Sequence, residues 1–271
     1  MSRRPAVAGM FYPADPGALR SKVAGFLAEA GGAPDGSVAG LVCPHAGYVY
    51  SGRTAGRAWA MAPEGIRTVV IISPCHRVPV SGASVFAGDA YETPLGPAKT
   101  DSFVVSGLQT RGFGYEPSAH AWEHAEEVQV PFVQVRWPEA RIVPIVQGTA
   151  TSAFSARLAQ ALLEVAPPDG GDTLVVASSD LSHYHPIETA EEMDHRFIEA
   201  FEARDPSMIE SLVRSGRAEA CGAGPVMTLL HWAASDDGMF STELVAYDTS
   251  ASTSGDRMAV VGYMAGVVRR G

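Results

Sequence analysis

Thiols, positive charge and long apolar stretches are all scarce in this sequence. Its 271 residues include three cysteines, Cys43, Cys75 and Cys221, and no CxxC pair. So small and odd a number argues against a disulfide framework and for reduced thiols, the usage of a cytoplasmic protein. Lys and Arg total 20 against 30 Asp and Glu, a formal net charge of −10. The basic residues are scattered apart from the pairs Arg3-Arg4 and Arg269-Arg270. Clustered cations for binding nucleic acid are therefore missing. No apolar run reaches the roughly 18 residues of a membrane span. The opening MSRRPAVAGMFYPAD lacks the apolar core of a signal peptide. Several catalytic signatures are absent too: no GxGxxG follows the first strand pattern, and GxxxxGKS/T, GxSxG and HExxH do not occur.

A chain of this length can bury roughly three quarters of its unfolded surface, so it needs neither disulfide nor metal to fold. Any metal would serve chemistry. Short apolar runs without alternation stand at Gly40–Cys43, Thr68–Ser73, Arg141–Val146 and Thr173–Ala177. Such runs suit strands buried on both faces. Helical patterns separate them: one after Asp15-Pro16, then Ser51–Met61, Ala125–Val135, Thr151–Val165 and Ile187–Ala203. Thr242–Thr249 and Met258–Val268 flank a Ser/Gly-rich loop and predict an antiparallel pair at one edge. The expectation is an α/β fold with a mixed central sheet covered on both sides, in one domain over residues 1–271.

Three of the apolar runs end alike. Val42-Cys43-Pro44-His45, Ser73-Pro74-Cys75-His76 and Ser178-Ser179-Asp180-Leu181-Ser182-His183 each carry a histidine past the end of a strand. Ligands of open α/β sheets bind in the crevice beyond those carboxyl ends. Imidazole and carboxylate are the usual donors of non-haem iron and zinc sites. His124, within EHAEE at the start of a helical pattern, shares a helix face with Glu127 on this reading. His120, His185, His195 and His231 read as structural, and Cys43 and Cys75 as small buried residues.

The segments AVAGMFYPADPGAL, PHAGYVYSG, SPCHRVPVSG, EHAEEVQVPF, VVASSDLSH, CGAGPV and VVGYMAG, in this order, resemble the Memo family over nearly the full chain. The resemblance implies a LigB-like three-layer α/β/α sandwich with a mixed, mostly parallel central sheet. It implies kinship in fold with class III extradiol dioxygenases, which hold non-haem Fe(II) with two histidines and a carboxylate and use another histidine as acid/base. By that resemblance His45 and His76 match the metal-ligand histidines. Asp180 and His183 match the Asp and His of the opposite wall, and His124 matches the histidine of an EHS-type motif. Tyr48 and Arg77 are the substrate-binding candidates.

Two departures stand out. Some members carry a cysteine ligand in the loop before the last strand, where this chain has Thr253. The third donor is then Thr253, Asp180, Asp248, Asp256 or water. Gln129 stands where some members have a histidine. The leading expectation is an Fe(II)-dependent oxygenase-like enzyme acting on a small molecule or peptide, with zinc or copper as other cofactors. A non-catalytic phosphopeptide binder and a zinc hydrolase are the alternatives. The resemblance also implies AMMECR-type and radical-SAM proteins as partners.

Overall fold

The four apolar runs become strands because helices cover both of their faces. The computed structural model describes residues 1–168, 171–234 and 239–271. Along them run β1 (Ser2–Arg3), β2 (Val38–Cys43), β3 (Thr68–Pro74), β4 (Ala83–Val85), β5 (Ala90–Thr93), β6 (Gly96–Lys99), β7 (Arg141–Gln147), β8 (Thr173–Ser178), β9 (Asp180–His185), β10 (Phe240–Thr249) and β11 (Val260–Arg270). Every residue of β2 and β3 is buried. Successive side chains point to opposite faces. Val42, Val70, Ile72, Val143, Ile145 and Val175 pack with Leu108, Leu158, Leu162, Phe197, Phe201 and Leu229. Leu41, Val69, Ile71, Ile142, Leu174 and Val176 pack with Leu19, Val23, Phe26, Trp59, Phe132 and Val133. Helices Ser102–Thr110, Ser152–Leu163, Ile187–Glu202, Pro206–Arg214 and Ala223–Ala233 thus supply one layer. Helices Pro16–Glu29, Tyr48–Met61 and Val130–Arg136 supply the other. Burying one such Ile or Leu stabilises the fold by about 1.5–3 kcal/mol.

The main sheet has the order β10-β11-β2-β8-β3-β7-β4, with β9 paired to β11. Strands β2, β8, β3 and β7 are parallel. Antiparallel strands flank them on both sides: β11 on β2 and β10 on β11 at one side, β4 on β7 at the other. The sequence reading held one antiparallel edge; β4, of three residues, is too short for its pattern to register. The first residues form a small second sheet, β1-β5-β6. Their pairing carries Arg3 beneath the loop that bears His124, a placement used below.

The stretch read as a helix from Ala125 is shorter and broken. A 3₁₀ turn spans Glu127–Gln129 and the α-helix starts at Val130, with Pro131 in its first turn. His124 lies before both, in a loop, so it shares no helix face with Glu127.

Candidate metal centre

The carboxyl ends of β2 and β3 deliver His45 and His76 to one spot, and the 122–126 loop brings His124 against them. One ring nitrogen from each of these three residues lies within 4.8 Å of the others. The His45 ring centroid is 5.2 Å from that of His76 and 5.5 Å from that of His124, and the last two stack at 4.8 Å. Imidazolium rings at these distances would repel one another. Burial, then the neighbouring histidines, holds His45 well below its ordinary value. Burial lowers His124 to about 4 against a pull upward from Glu123. Both are neutral at pH 7, the state that ligates.

Hydrogen bonds decide which nitrogen of His45 is bare. The indole Nε1 of Trp59 only donates, and it reaches Gln129 Oε1 at 3.2 Å. The Gln129 amide nitrogen therefore donates, to Pro44 O at 3.0 Å and Ser178 Oγ at 2.9 Å. Ser178 Oγ spends its one hydrogen on Ala125 O at 2.7 Å. The contact of 2.9 Å between His45 Nδ1 and Ser178 Oγ must then be donated by the ring. Nδ1 carries the hydrogen and Nε2 offers a lone pair. His76 Nδ1 likewise donates: it sits 2.8 Å from Glu123 Oε1, a carboxylate oxygen that accepts. Gln129 is fully buried behind His45 and serves as its support.

Cys221 is the residue the sequence reading missed. Its Sγ lies 3.2 Å from His45 Nε2, against the lone pair just assigned. It ends the loop before helix Ala223–Ala233. Gly222 lets that loop close on the strand, since a Cβ there would collide with Ser178 O and Ser179. The signal was a cysteine next to a Gly-x-Gly at a helix start, inside a motif already quoted for the resemblance.

Asp180 and His183 stand across from the histidines on β9. Asp180 Oδ1 accepts from the backbone of His45 at 2.7 Å and Ala46 at 3.3 Å, and Oδ2 is 4.0 Å from His45 Nε2. Burial raises its pKa to about 6. His183 Nδ1 donates to Leu181 O at 2.8 Å, which leaves its Nε2 free. Both line a crevice of about 540 Å³ with His124, Met10, Phe11, Tyr50, Tyr184, Asp256 and Tyr263. None of the described residues lining it is Lys or Arg. Tyr184 holds φ at +62°, a conformation rare outside glycine.

Other sequence candidates sit elsewhere. Tyr48 is 3% exposed and packs among Tyr12, Phe26 and Phe132, its hydroxyl donating to Val128 O. Its neighbour two residues on, Tyr50, faces the crevice instead, because the helix turns the two side chains apart. Arg77 is exposed and lines a separate depression with Cys75, His76 and Pro79. Thr253 Oγ1 donates to Val49 O, and Asp248 caps Thr249 and Ser252. Asp256 is an exposed wall residue that accepts from Met258 N. Among the described residues no helix is long and apolar enough to cross a membrane.

The donor set suits a first-row transition ion: imidazole nitrogens with a sulfur beside them. His124 Nδ1 is buried with no hydrogen-bond partner. Charge points the same way. Glu123, Glu126, Glu127 and Asp180 are buried, and of these Arg3 faces Glu126 and Glu127. Buried carboxylates need compensating charge.

The family model described as Memo-like protein matches residues 3–267. A MEMO1 family protein of Methanothermobacter thermautotrophicus is 36% identical, over 97% of this chain and 99% of that one. Another from Ignicoccus hospitalis is 38% identical, over 97% of each. A solved structure, the uncharacterized protein JW3007 of Escherichia coli K12, aligns at a TM-score of 0.48 with 13% identity, covering 84% of this chain and 99% of that one.

Proposed function

The chain belongs to the Memo-like protein family, and from that premise we propose that its crevice holds a divalent transition ion, Fe(II), and serves an oxygenase-like reaction of a small molecule. One observation carries the reading: three imidazole nitrogens within 4.8 Å of one another, with the Cys221 thiol against the bare nitrogen of His45. His45 and His76 would hold the ion through Nε2, with His124 and Cys221 as the further donors. When bound, such an ion supplies Lewis acidity and one-electron redox chemistry.

The chain's own groups do the rest. His183 Nε2, free and facing the crevice, takes or gives a proton at the substrate. Asp180 holds the His45–Ala46 backbone in place and keeps a carboxylate at the edge of the site. Phe11, Tyr50, Tyr184 and Tyr263 form apolar walls that orient a ring and exclude water. Without Lys or Arg on those walls, an uncharged or cationic small molecule is favoured over a phosphorylated peptide, which arginines would recognise.

Anaerobic titration of metal-free protein with Fe(II) tests the assignment. The parent takes up one ion per chain, while His45→Ala and His76→Ala lose that binding. Equal binding by both variants and the parent puts the ion elsewhere. Metal analysis of protein purified without added metal separates iron from zinc or copper. Zinc accompanied by hydrolytic turnover would replace the redox reading.

A further inference from the structure

We propose that Glu123 is the positioning residue of this centre: one buried carboxylate fixes the proton-bearing nitrogen of His76 and the backbone beneath His124. The consequence for metal affinity rests on the reading above; the orientation of His76 does not.

Glu123 is 0% exposed. Its Oε1 accepts from His76 Nδ1 at 2.8 Å, from His124 N at 3.0 Å and from Ala125 N at 3.2 Å. Its Oε2 accepts from His76 N at 2.6 Å. Three N–H groups thus converge on Oε1 and one on Oε2, so both oxygens of the carboxylate are engaged. All four come from the two segments that present His76 and His124. These segments are not paired in the sheet; this side chain, with the 2.8 Å bond from Ser73 Oγ to Glu126 Oε2, registers one on the other. Because a carboxylate only accepts, His76 must hold a hydrogen on Nδ1, which leaves Nε2 as the nitrogen available to an ion. An acceptor behind a ligating imidazole fixes its tautomer and strengthens it as a donor; losing one typically costs about 10–100-fold in metal affinity.

Glu123 is itself fixed from the far side. The Arg3 guanidinium donates through Nη2 to Glu123 O, through Nε to His120 O at 2.6 Å and through Nη1 to Glu127 Oε2 at 2.5 Å. The loop is thus gripped at its backbone, and the carboxylate is left free to serve the histidines.

The test reads the tautomer in metal-free protein by ¹⁵N NMR of the histidine rings, and affinity by competition with a zinc indicator. In the parent, His76 shows protonated Nδ1 and bare Nε2. Glu123→Gln keeps an acceptor on one side but presents N–H₂ to the other, so His76 becomes a tautomer mixture and zinc affinity falls about 10–100-fold. Glu127→Gln, which disturbs the same buried network without touching either histidine, leaves the tautomer unchanged. A parent whose His76 carries its hydrogen on Nε2 overturns the proposal, even if Glu123→Gln does not fold. So does a Glu123→Gln protein with an unchanged tautomer. A parent with the expected tautomer that binds no metal instead overturns the metal reading and leaves the positioning role standing.

Discussion

Cys221 sets the charge balance of the centre at the scale of one residue. Burial, with Asp180 nearby, pushes its thiol well above the ordinary range, so the metal-free protein carries it protonated. His45 and His124 are held low and are neutral between pH 6 and 8. Coordination by sulfur therefore expels one proton, and coordination by these two imidazoles expels none. We expect release of the thiol proton on binding, read by calorimetry across buffers of different ionisation enthalpy. Affinity should rise with pH over this range, since protons compete with the ion for the sulfur. In Cys221→Ser that proton is no longer released and the pH slope falls, and with cobalt the sulfur charge-transfer absorption disappears. The histidines were legible because a proline turn after an apolar run marks a strand end. Cys221 was not, because nothing local separates a ligand cysteine from a packing one; its meaning lies in a neighbour 176 positions away.

At the scale of elements, apolar content decided what could be read. Strands β2, β3, β7 and β8 announce themselves as short apolar runs rich in Val, Ile and Leu. Strand β9, DLSHYH, has no such run and is a strand only because β11 pairs with it, Tyr263 opposite Asp180 and Val261 opposite His183. That pairing, with Tyr184 in the left-handed region, is what turns Asp180 and His183 toward the crevice. Glycine governs the opposite wall. Gly222→Ala would drive a methyl into Ser178 O and Ser179. Overpacking of this kind costs about 1–3 kcal/mol, and here it also lifts Cys221 from His45. Urea unfolding should show the loss of stability, and the cobalt–sulfur absorption should weaken with it. Full retention of that absorption would mean that the loop's approach does not set the thiol's place.

For the molecule as a whole, the three-layer sandwich was legible from the alternation of runs and helical patterns. The buried acidic cluster under it was not. Glu126 and Glu127 read as charges near a helix start, yet they face Tyr91, His120, Arg3 and Tyr12 in a dry interior. Only tertiary folding brings β1 to them. Arg3→Met leaves these carboxylates without their cation, and breaking a buried pair costs about 3–5 kcal/mol; equilibrium urea denaturation checks this. Acid should reveal the same cluster. Burial works against ionised Glu126, but His120, Arg3 and Tyr91 outweigh it and hold its value at about 2, below 4.5 for the free side chain. The unfolded chain then binds the proton first. The stabilisation is whole above about pH 4.5 and drains away toward pH 2. Glu126→Gln should lose less stability than the parent over that interval.

His45 and Cys221 face each other across 176 positions, and Arg3 reaches Glu127 across 124. A polypeptide still emerging from the ribosome exposes the first histidine long before its sulfur partner has been synthesised. On the proposed reading, translation must pass Cys221 before the full set of donors exists, so an ion held by all of them would be loaded only after that point.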